Sequence, residues 1–121
     1  MKLSNGQIFN IVEQLSSMRQ ATLPIKLSFI IAKNLIILEP YYKIIIEFRN
    51  NILINNGYDG SPDFRFNEEQ TKQINKELYE FQSIENEIVI NKIPLSLLLE
   101  TDTNVTPSEI ETLYPIISEE E

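Results

Sequence analysis

The stretch LPIKLSFIIAKNLIILEP, residues 23–40, decides the fold, because it is apolar at eleven of its eighteen positions. It also carries Lys26 and Lys33, whereas a membrane span needs about 20 mostly uncharged residues, so we expect no span. Pro24 suits the first turn of a helix, where its missing N–H costs nothing. The apolar positions recur at helical spacing and widen beyond one stripe. We therefore predict a buried helix whose excess apolar surface needs a protein partner or a homo-oligomer.

Residues 40–56 leave two structures open. Pro40 removes one backbone hydrogen bond and is predicted to kink or break the helix. Beyond it, one helical face is continued by four apolar residues: Tyr41, Ile45, Phe48 and Ile52. The β-branched runs at 44–46 and 52–54 also fit a hairpin that turns at residues 49–51. Local patterns do not separate the helix from the hairpin.

The remaining elements are predicted from caps and periodicity. Residues 4–7 fit a capping box that opens a first helix ending near Gln20. Asn67 caps a third helix, with a buried face formed by Ile74, Leu78, Phe81 and Ile84. Residues 87–91 are predicted to form a strand, and residues 106–109 cap a short last helix that Pro115 stops.

The lengths of these helices fix how they pack. A helix over residues 24–56 is about 50 Å long, so the first and third helices each cover only half of it, running antiparallel to it. The start of the first helix and the end of the third should then meet near Pro40. This places residues 1–3 beside residues 87–91 in a two-stranded sheet, with 64–66 as the competing partner.

The predicted fold is mainly α with a minor β part: a long kinked central helix flanked by two antiparallel helices, a short C-terminal helix and a small two-stranded sheet. We predict one α-rich domain over residues 1–117 and an acidic C-terminal tail over residues 118–121. The polar start of the chain carries no signal-peptide pattern, and we expect a cytoplasmic protein of the host cell.

Composition restricts the chemistry. The chain has no cysteine, which excludes thiolate metal sites and thiol nucleophiles. It also has no histidine, which removes the usual general base near neutral pH and the commonest metal ligand. The net charge of −8 is uneven: residues 1–50 carry +3 and residues 51–121 carry −11. The acidic half should repel nucleic acid and anionic membranes. Three glycines, none in series, exclude the familiar nucleotide-binding fingerprints.

Two acidic stretches are candidate sites, and the first fails on its pattern. The loop 55–66 resembles an EF-hand at Asp59 and Gly60, but the twelfth position is Phe66, where a bidentate Glu is required. Glu77 and Glu80, with their acidic neighbours, form the solvated face of the third helix or, alternatively, an array that mimics phosphates. We predict no catalytic residues, no cofactor, no metal and no small-molecule substrate.

Five stretches in order give a resemblance over nearly the whole chain: MKLSNGQIFN, LPIKLSFIIAKN, residues 75–81, SIENEIVINKIPLSLL and VTPSEIETLYPII. Together they resemble a family of small uncharacterised proteins of tailed phages of Gram-positive bacteria. The resemblance implies a long helix through residues 23–57. It implies no activity and no functional residues.

We therefore expect a non-enzymatic phage accessory protein that binds, and modulates or inhibits, a host or defence protein. The alternatives are a virion structural or assembly protein that oligomerises through its long helix, and an acidic nucleic-acid mimic. Direct nucleic-acid binding is not expected. Six residues are the candidates for the interaction surface: Tyr41, Ile45, Phe48, Ile52, Glu77 and Glu80.

Overall fold

One long helix organises the fold, which is mainly α with a minor β part, as predicted. The computed structural model describes residues 1–100 and 105–119. The described elements are, in chain order, β1 (Lys2–Ser4), α1 (Asn5–Met18), α2 (Ile25–Asn55), α3 (Glu68–Gln82), β2 (Glu85–Glu87), β3 (Ile93–Pro94), α4 (Leu95–Leu99), α5 (Pro107–Leu113), a 3₁₀ turn (Tyr114–Ile116) and β4 (Ile117–Ser118).

Helices α1 and α3 begin at complete capping boxes. The Ser4 hydroxyl accepts a hydrogen bond from Gln7 N at 3.1 Å, and Ser4 N donates to Gln7 Oε1 at 2.9 Å. Asn67 and Gln70 make the same reciprocal pair at the start of α3. Each box satisfies two backbone N–H donors that the start of the helix would otherwise leave unpaired. These local signals were readable from the sequence, and both predictions are confirmed.

The last helix also begins where the sequence predicted. Glu109 N donates to the Thr106 hydroxyl at 3.2 Å, and Pro107 occupies the first helical position. The α-helix ends at Leu113, and the following turn through Pro115 is 3₁₀. Helix α4 was not predicted from the sequence.

Helix α2 runs unbroken through Pro40, so neither the predicted break nor the alternative hairpin occurs. Pro40 is exposed, and the Ile36 carbonyl that loses its hydrogen bond therefore lies on the solvent side of the helix. Ile45, inside the disputed segment, is only 3% exposed and packs in the core. Tertiary packing on that side chain explains why β-branched residues adopt a helix here.

Helices α1 and α3 both run antiparallel to α2. On α1, Glu13 meets Tyr42 whereas the earlier Phe9 meets Arg49. On α3, Glu77 contacts Asn56 whereas Phe81 stacks on Phe48.

The start of α1 and the end of α3 meet where Asn5 Nδ2 donates to Phe81 O at 2.9 Å. This junction lies against Ile45 and Phe48, more than one helical turn beyond the predicted position at Pro40. The shift arises because α1 begins at Asn5 and reaches as far along α2 as Arg49.

The predicted sheet at the N-terminus is present. Strands β1 and β2 are antiparallel, with Lys2 opposite Glu87, and Ile88 N donates to Met1 O at 2.8 Å. The second strand of this sheet, β2, was predicted at residues 87–91 but occupies Glu85–Glu87. Residues 64–66, the competing partner, are not in a strand.

A second small sheet, which the sequence did not predict, joins β3 to β4 in parallel, with Ile93 opposite Ile117. Ser118 belongs to β4, so the predicted tail begins inside a strand. Glu119 is exposed, as predicted for an acidic tail, and the last two residues lie outside the described residues.

The core lies between α1 and the inner face of α2, closed at its ends by β1, β3, α4 and α5. Its largest fully buried side chains are Leu3, Ile8, Ile11, Leu15, Leu27, Ile31, Leu38, Ile93, Leu98, Leu113, Ile116 and Asn34. Asn34 is the polar member of this group, and its amide hydrogen bonds to the backbone of Asn91 satisfy it.

Candidate interaction surfaces

A groove opens where α1, α2, α3 and β2 meet. It has a volume of about 290 Å³. Its lining residues are Asn5, Tyr41, Ile44, Ile45, Phe48, Phe81 and Asn86. The lining is mostly apolar, with two amide side chains, which is the composition typical of binding clefts. Three of the six predicted interaction residues therefore lie together in this groove.

Stacked rings and an amide network hold the groove in shape. The Phe48 and Phe81 rings stack with centroids 5.6 Å apart, and Phe48 remains 52% exposed at the rim. Asn86 Nδ2 donates to Asn5 Oδ1 at 2.8 Å, and Asn5 Nδ2 donates to Phe81 O. Because these side chains are already hydrogen-bonded, a ligand would meet a surface that is ordered before binding.

The six predicted residues do not form one surface. Ile45 is buried, so its side chain only forms the floor of the groove. Tyr41 is half-buried in the groove wall. Ile52 is half-buried and does not line the groove.

The two predicted acidic residues also differ. Glu77 is half-buried, accepting hydrogen bonds from Gln73 at 2.8 Å and from Asn56 at 3.3 Å. Glu80 is exposed beside the groove residue Phe81. Glu77 therefore helps to hold α3 against the end of α2, whereas Glu80 is available to a partner.

A second surface lies on the opposite side of α2 from the core. Ile25 is 85% exposed, Phe29 64% and Ile36 73%. Pro40 continues this side of the helix and is exposed as well. The spacing of four, seven and four residues keeps these side chains on one helical face. We call these residues, with the exposed Ala32, the outer face of α2. Ile44, 54% exposed, lies where the outer face meets the groove.

Charged residues border the outer face in a definite order. Lys26 and Lys33 lie towards the N-terminal end of α2, and Lys33 Nζ is 5.3 Å from the Phe29 ring centroid. Glu39 and Glu47 lie towards the C-terminal end, with Lys43 between them. Lys43 Nζ is 3.7 Å from Glu39 Oε1, in an exposed i,i+4 pair.

A polar cluster joins α1 to the middle of α2. The Tyr42 hydroxyl donates to Glu13 Oε1, and the Phe9 ring stacks on Tyr42 with centroids 5.6 Å apart. The Arg49 guanidinium carbon lies over the Phe9 ring, 4.2 Å from the ring centroid. The hydrogen bond to Glu13, then burial and the Glu13 charge, raises the pKa of Tyr42 above 10.0, against a smaller opposing effect of Arg49.

Sequence reasoning predicted excess apolar surface on the long helix but did not choose the outer-face residues as interaction residues, and it missed four of the seven residues that line the groove. Ile25, Phe29 and Ile36 form a second apolar stripe, opposite the core stripe of Leu27 and Leu38. Their helical spacing is visible in the sequence. The pattern does not say, however, which of two apolar stripes the rest of the fold will cover. Phe81 and Asn86 join the groove through tertiary contacts that no local pattern reports.

The loop between α2 and α3 is closed by aromatic packing and shows no cation site. Tyr58 and Phe66 pack around Phe64, whose ring centroid is 4.8 Å from that of Phe66. Asp59 Oδ1 accepts from Ser61 N at 2.8 Å, as in an ordinary Asx turn. Within residues 1–100 and 105–119, no group of three or more acidic side chains is placed to hold a metal ion.

No protein-family model, curated protein or solved structure matches this chain. In the described part of the chain, no helix is both long enough and apolar enough to cross a membrane.

Proposed function

We propose that this protein acts by binding another protein rather than by catalysis, as an accessory factor of a tailed phage that modulates a host or defence protein. The groove at the junction of α1, α2, α3 and β2 carries the proposal. It is concave, mostly apolar and held by side chains that are already hydrogen-bonded. Protein interfaces concentrate their binding energy where an anchoring side chain enters such a pocket. The phage assignment rests on the sequence resemblance alone.

The charge around the groove suggests what the partner presents. Glu80, Glu85 and Glu87 are exposed, and they are close in sequence to the groove residues Phe81 and Asn86. Negative charges at the rim favour a partner with Lys or Arg near its point of contact. We expect a partner segment that inserts an apolar side chain into the groove and places basic residues beside it.

A matched pair of variants tests the groove. Ile44 and Ile54 are both isoleucines of α2 with nearly equal exposure, 54% and 56%, but only Ile44 lines the groove. The wild-type chain and the variants Ile44→Gln and Ile54→Gln are used as bait in a lysate of a Gram-positive host, and captured proteins are identified by mass spectrometry. We expect a protein retained by wild type and Ile54→Gln and lost with Ile44→Gln. Equal capture by all three baits would contradict the proposal, and so would no capture by any.

A second candidate function, virion assembly through α2, is favoured by the uncovered outer face. Its test is sedimentation of the pure protein: a chain that stays monomeric at high concentration would contradict it. The acidic-mimic alternative has less support, because Lys72 and Lys76 interrupt the acids of α3 and Glu77 is engaged within the fold. A mimic's complex should dissociate steeply as salt is raised, and Glu80→Lys should abolish it.

A further inference from the structure

Arg49 on α2 is a half-buried positive charge that is held in place without an acceptor. Its guanidinium carbon lies 4.2 Å from the centroid of the Phe9 ring, and a ring contact leaves the five N–H donors of arginine available. Within the part of the chain that the structure describes, no carboxylate forms an ion pair with Arg49 and no atom accepts a hydrogen bond from it.

The lack of an ion pair at Arg49 is not due to a lack of acids. Glu13 belongs to the same polar cluster, but its Oε1 accepts the hydrogen bond of the Tyr42 hydroxyl. Phe9 stacks on Tyr42 and also lies under Arg49, so the cluster keeps the two charges separate. A guanidinium that is partly removed from water without an acceptor costs free energy, and a ligand that supplies the acceptor recovers it.

Arg49 lines a polar pocket of about 130 Å³, where α2 meets the start of α1 and the end of α3. Of the seven described residues in the lining, Arg49 is the one that carries a charge. The side-chain amides of Asn10 and Gln82 also line the pocket, and neither hydrogen-bonds to another described residue. The pocket lies next to the groove, because Asn5 and Ile45 line both.

We propose that this pocket binds a carboxylate group, with Arg49 as its anchor. A guanidinium donates two parallel hydrogen bonds to the two oxygens of a carboxylate. The amide groups of Asn10 and Gln82 are placed to donate to the remaining lone pairs. One guanidinium neutralises a monoanion, whereas a phosphate dianion would leave an uncompensated negative charge in a chain that already carries −8.

The carboxylate site goes beyond the proposed function. The groove partner presents an apolar anchor with basic residues beside it, whereas this pocket takes an acidic group. The two proposals can fail separately, since a small carboxylate is titrated without any protein partner.

Acetate is the probe for the carboxylate. The ¹⁵N-labelled full chain is titrated with sodium acetate, balanced by sodium chloride at constant ionic strength, and followed by two-dimensional NMR. We expect saturable shifts at Arg49 Nε–H and at the backbone amides of Gly6 and Asn10, with a Kd on the order of 10 mM. Shifts at these groups that do not saturate would overturn the proposal, and so would tighter binding of inorganic phosphate than of acetate.

Two arginine substitutions that change the net charge equally locate the anchor. Arg49→Gln should abolish the saturable shifts, whereas Arg19→Gln, at an exposed arginine outside the pocket, should leave the Kd unchanged. Arg49→Lys keeps the charge but loses the fork of donors, so it should bind acetate about fivefold more weakly. Equal binding by Arg49→Gln and wild type would overturn the proposal.

The same variant identifies the source of the carboxylate, which is either a small molecule or an acidic group of a protein partner. Arg49→Gln is used as bait in the host lysate beside wild type. A protein that is lost with Arg49→Gln, and that about 100 mM acetate releases from wild type, presents the carboxylate itself. A protein captured equally by both baits leaves the pocket to a small-molecule carboxylate, for which the acetate titration is the deciding measurement.

A pair of asparagine substitutions keeps the test independent of any folding defect in Arg49→Gln. Asn10→Asp adds a carboxylate at the exposed rim of the pocket, where it competes with acetate for Arg49, so binding should weaken about tenfold. Asn51→Asp adds the same charge at an exposed position of α2 outside the pocket and should bind acetate like wild type. Unchanged binding by Asn10→Asp, or an equal loss in both variants, would overturn the proposal.

Discussion

Asn34, in the N-terminal third of α2, binds both backbone groups of Asn91. Its Nδ2 donates to Asn91 O at 2.8 Å, and its Oδ1 accepts from Asn91 N at 3.0 Å. The Asn34 side chain is fully buried. This single amide therefore holds the segment between β2 and β3 against the central helix, where the backbone has no sheet partner.

The first prediction follows from this pair. Asn34→Ala removes two hydrogen bonds and leaves the Asn91 N–H and carbonyl without them, so we expect a loss of about 3 kcal/mol in the free energy of unfolding. Urea denaturation measures this. The control is Asn51→Ala, at an exposed asparagine of the same helix, which should change stability by less than about 0.5 kcal/mol. Equal effects of the two substitutions would contradict the assigned role.

The second prediction compares two glycines with positive φ, Gly57 at +103° and Gly60 at +83°. Alanine is strained at both, at about 1–2 kcal/mol. A Cβ on Gly57 would also lie 2.8 Å from Gln70 Nε2, which hydrogen-bonds to Asn56 O, whereas a Cβ on Gly60 meets open space. Gly57→Ala should therefore cost about 1 kcal/mol more than Gly60→Ala in thermal or urea unfolding. A smaller loss at Gly57 would show that Gln70 moves aside freely.

The third prediction concerns the proline inside α2. Pro40→Ala returns the backbone N–H that can donate to Ile36 O and replaces the poorest helix former by the best. Proline also restricts the unfolded chain, which offsets about 1 kcal/mol of this gain. We expect a net stabilisation of about 1–2 kcal/mol by urea denaturation. The exposed control Ile36→Ala should change stability by less than about 0.5 kcal/mol. Destabilisation by Pro40→Ala would mean that the fold depends on the local geometry that proline imposes.

The fourth prediction is a pH dependence at Tyr42. Its pKa is raised in the folded state, chiefly by the hydrogen bond to Glu13, so folding favours the protonated phenol. The stabilisation is fully present below pH 10 and is lost as the pH rises through the raised pKa. Tyr42→Phe should cost about 1 kcal/mol at pH 7, and its deficit relative to wild type should shrink above pH 10. A deficit that stays constant with pH would contradict this.

The parts of the fold that the sequence predicted are the local ones. The caps at Ser4, Asn67 and Thr106 are decided within four residues, and the structure has all three. Residues 43–54 were ambiguous because their isoleucines suit both a strand and a helix. The burial of Ile45, which depends on packing by distant elements, resolved the ambiguity.

The interaction surface was harder to predict for the same reason. Tyr41, Ile45 and Phe48 were chosen as one helical face, and they do line one groove. Ile25 and Ile36 were passed over, because periodicity alone does not distinguish a stripe that neighbours cover from one they leave bare. The Asn34–Asn91 contact and the β3–β4 pairing join residues more than 20 positions apart, and no nearby residue signals them.

The pairing of β1 with β2 has a consequence for synthesis on the ribosome. Leu3 is fully buried and lies opposite Asn86, so its site is incomplete until more than 80 further residues have been translated. At about 5–20 residues per second, the first strand waits for several seconds without its partner. A nascent chain stalled before residue 85 should therefore remain sensitive to protease along its first helix.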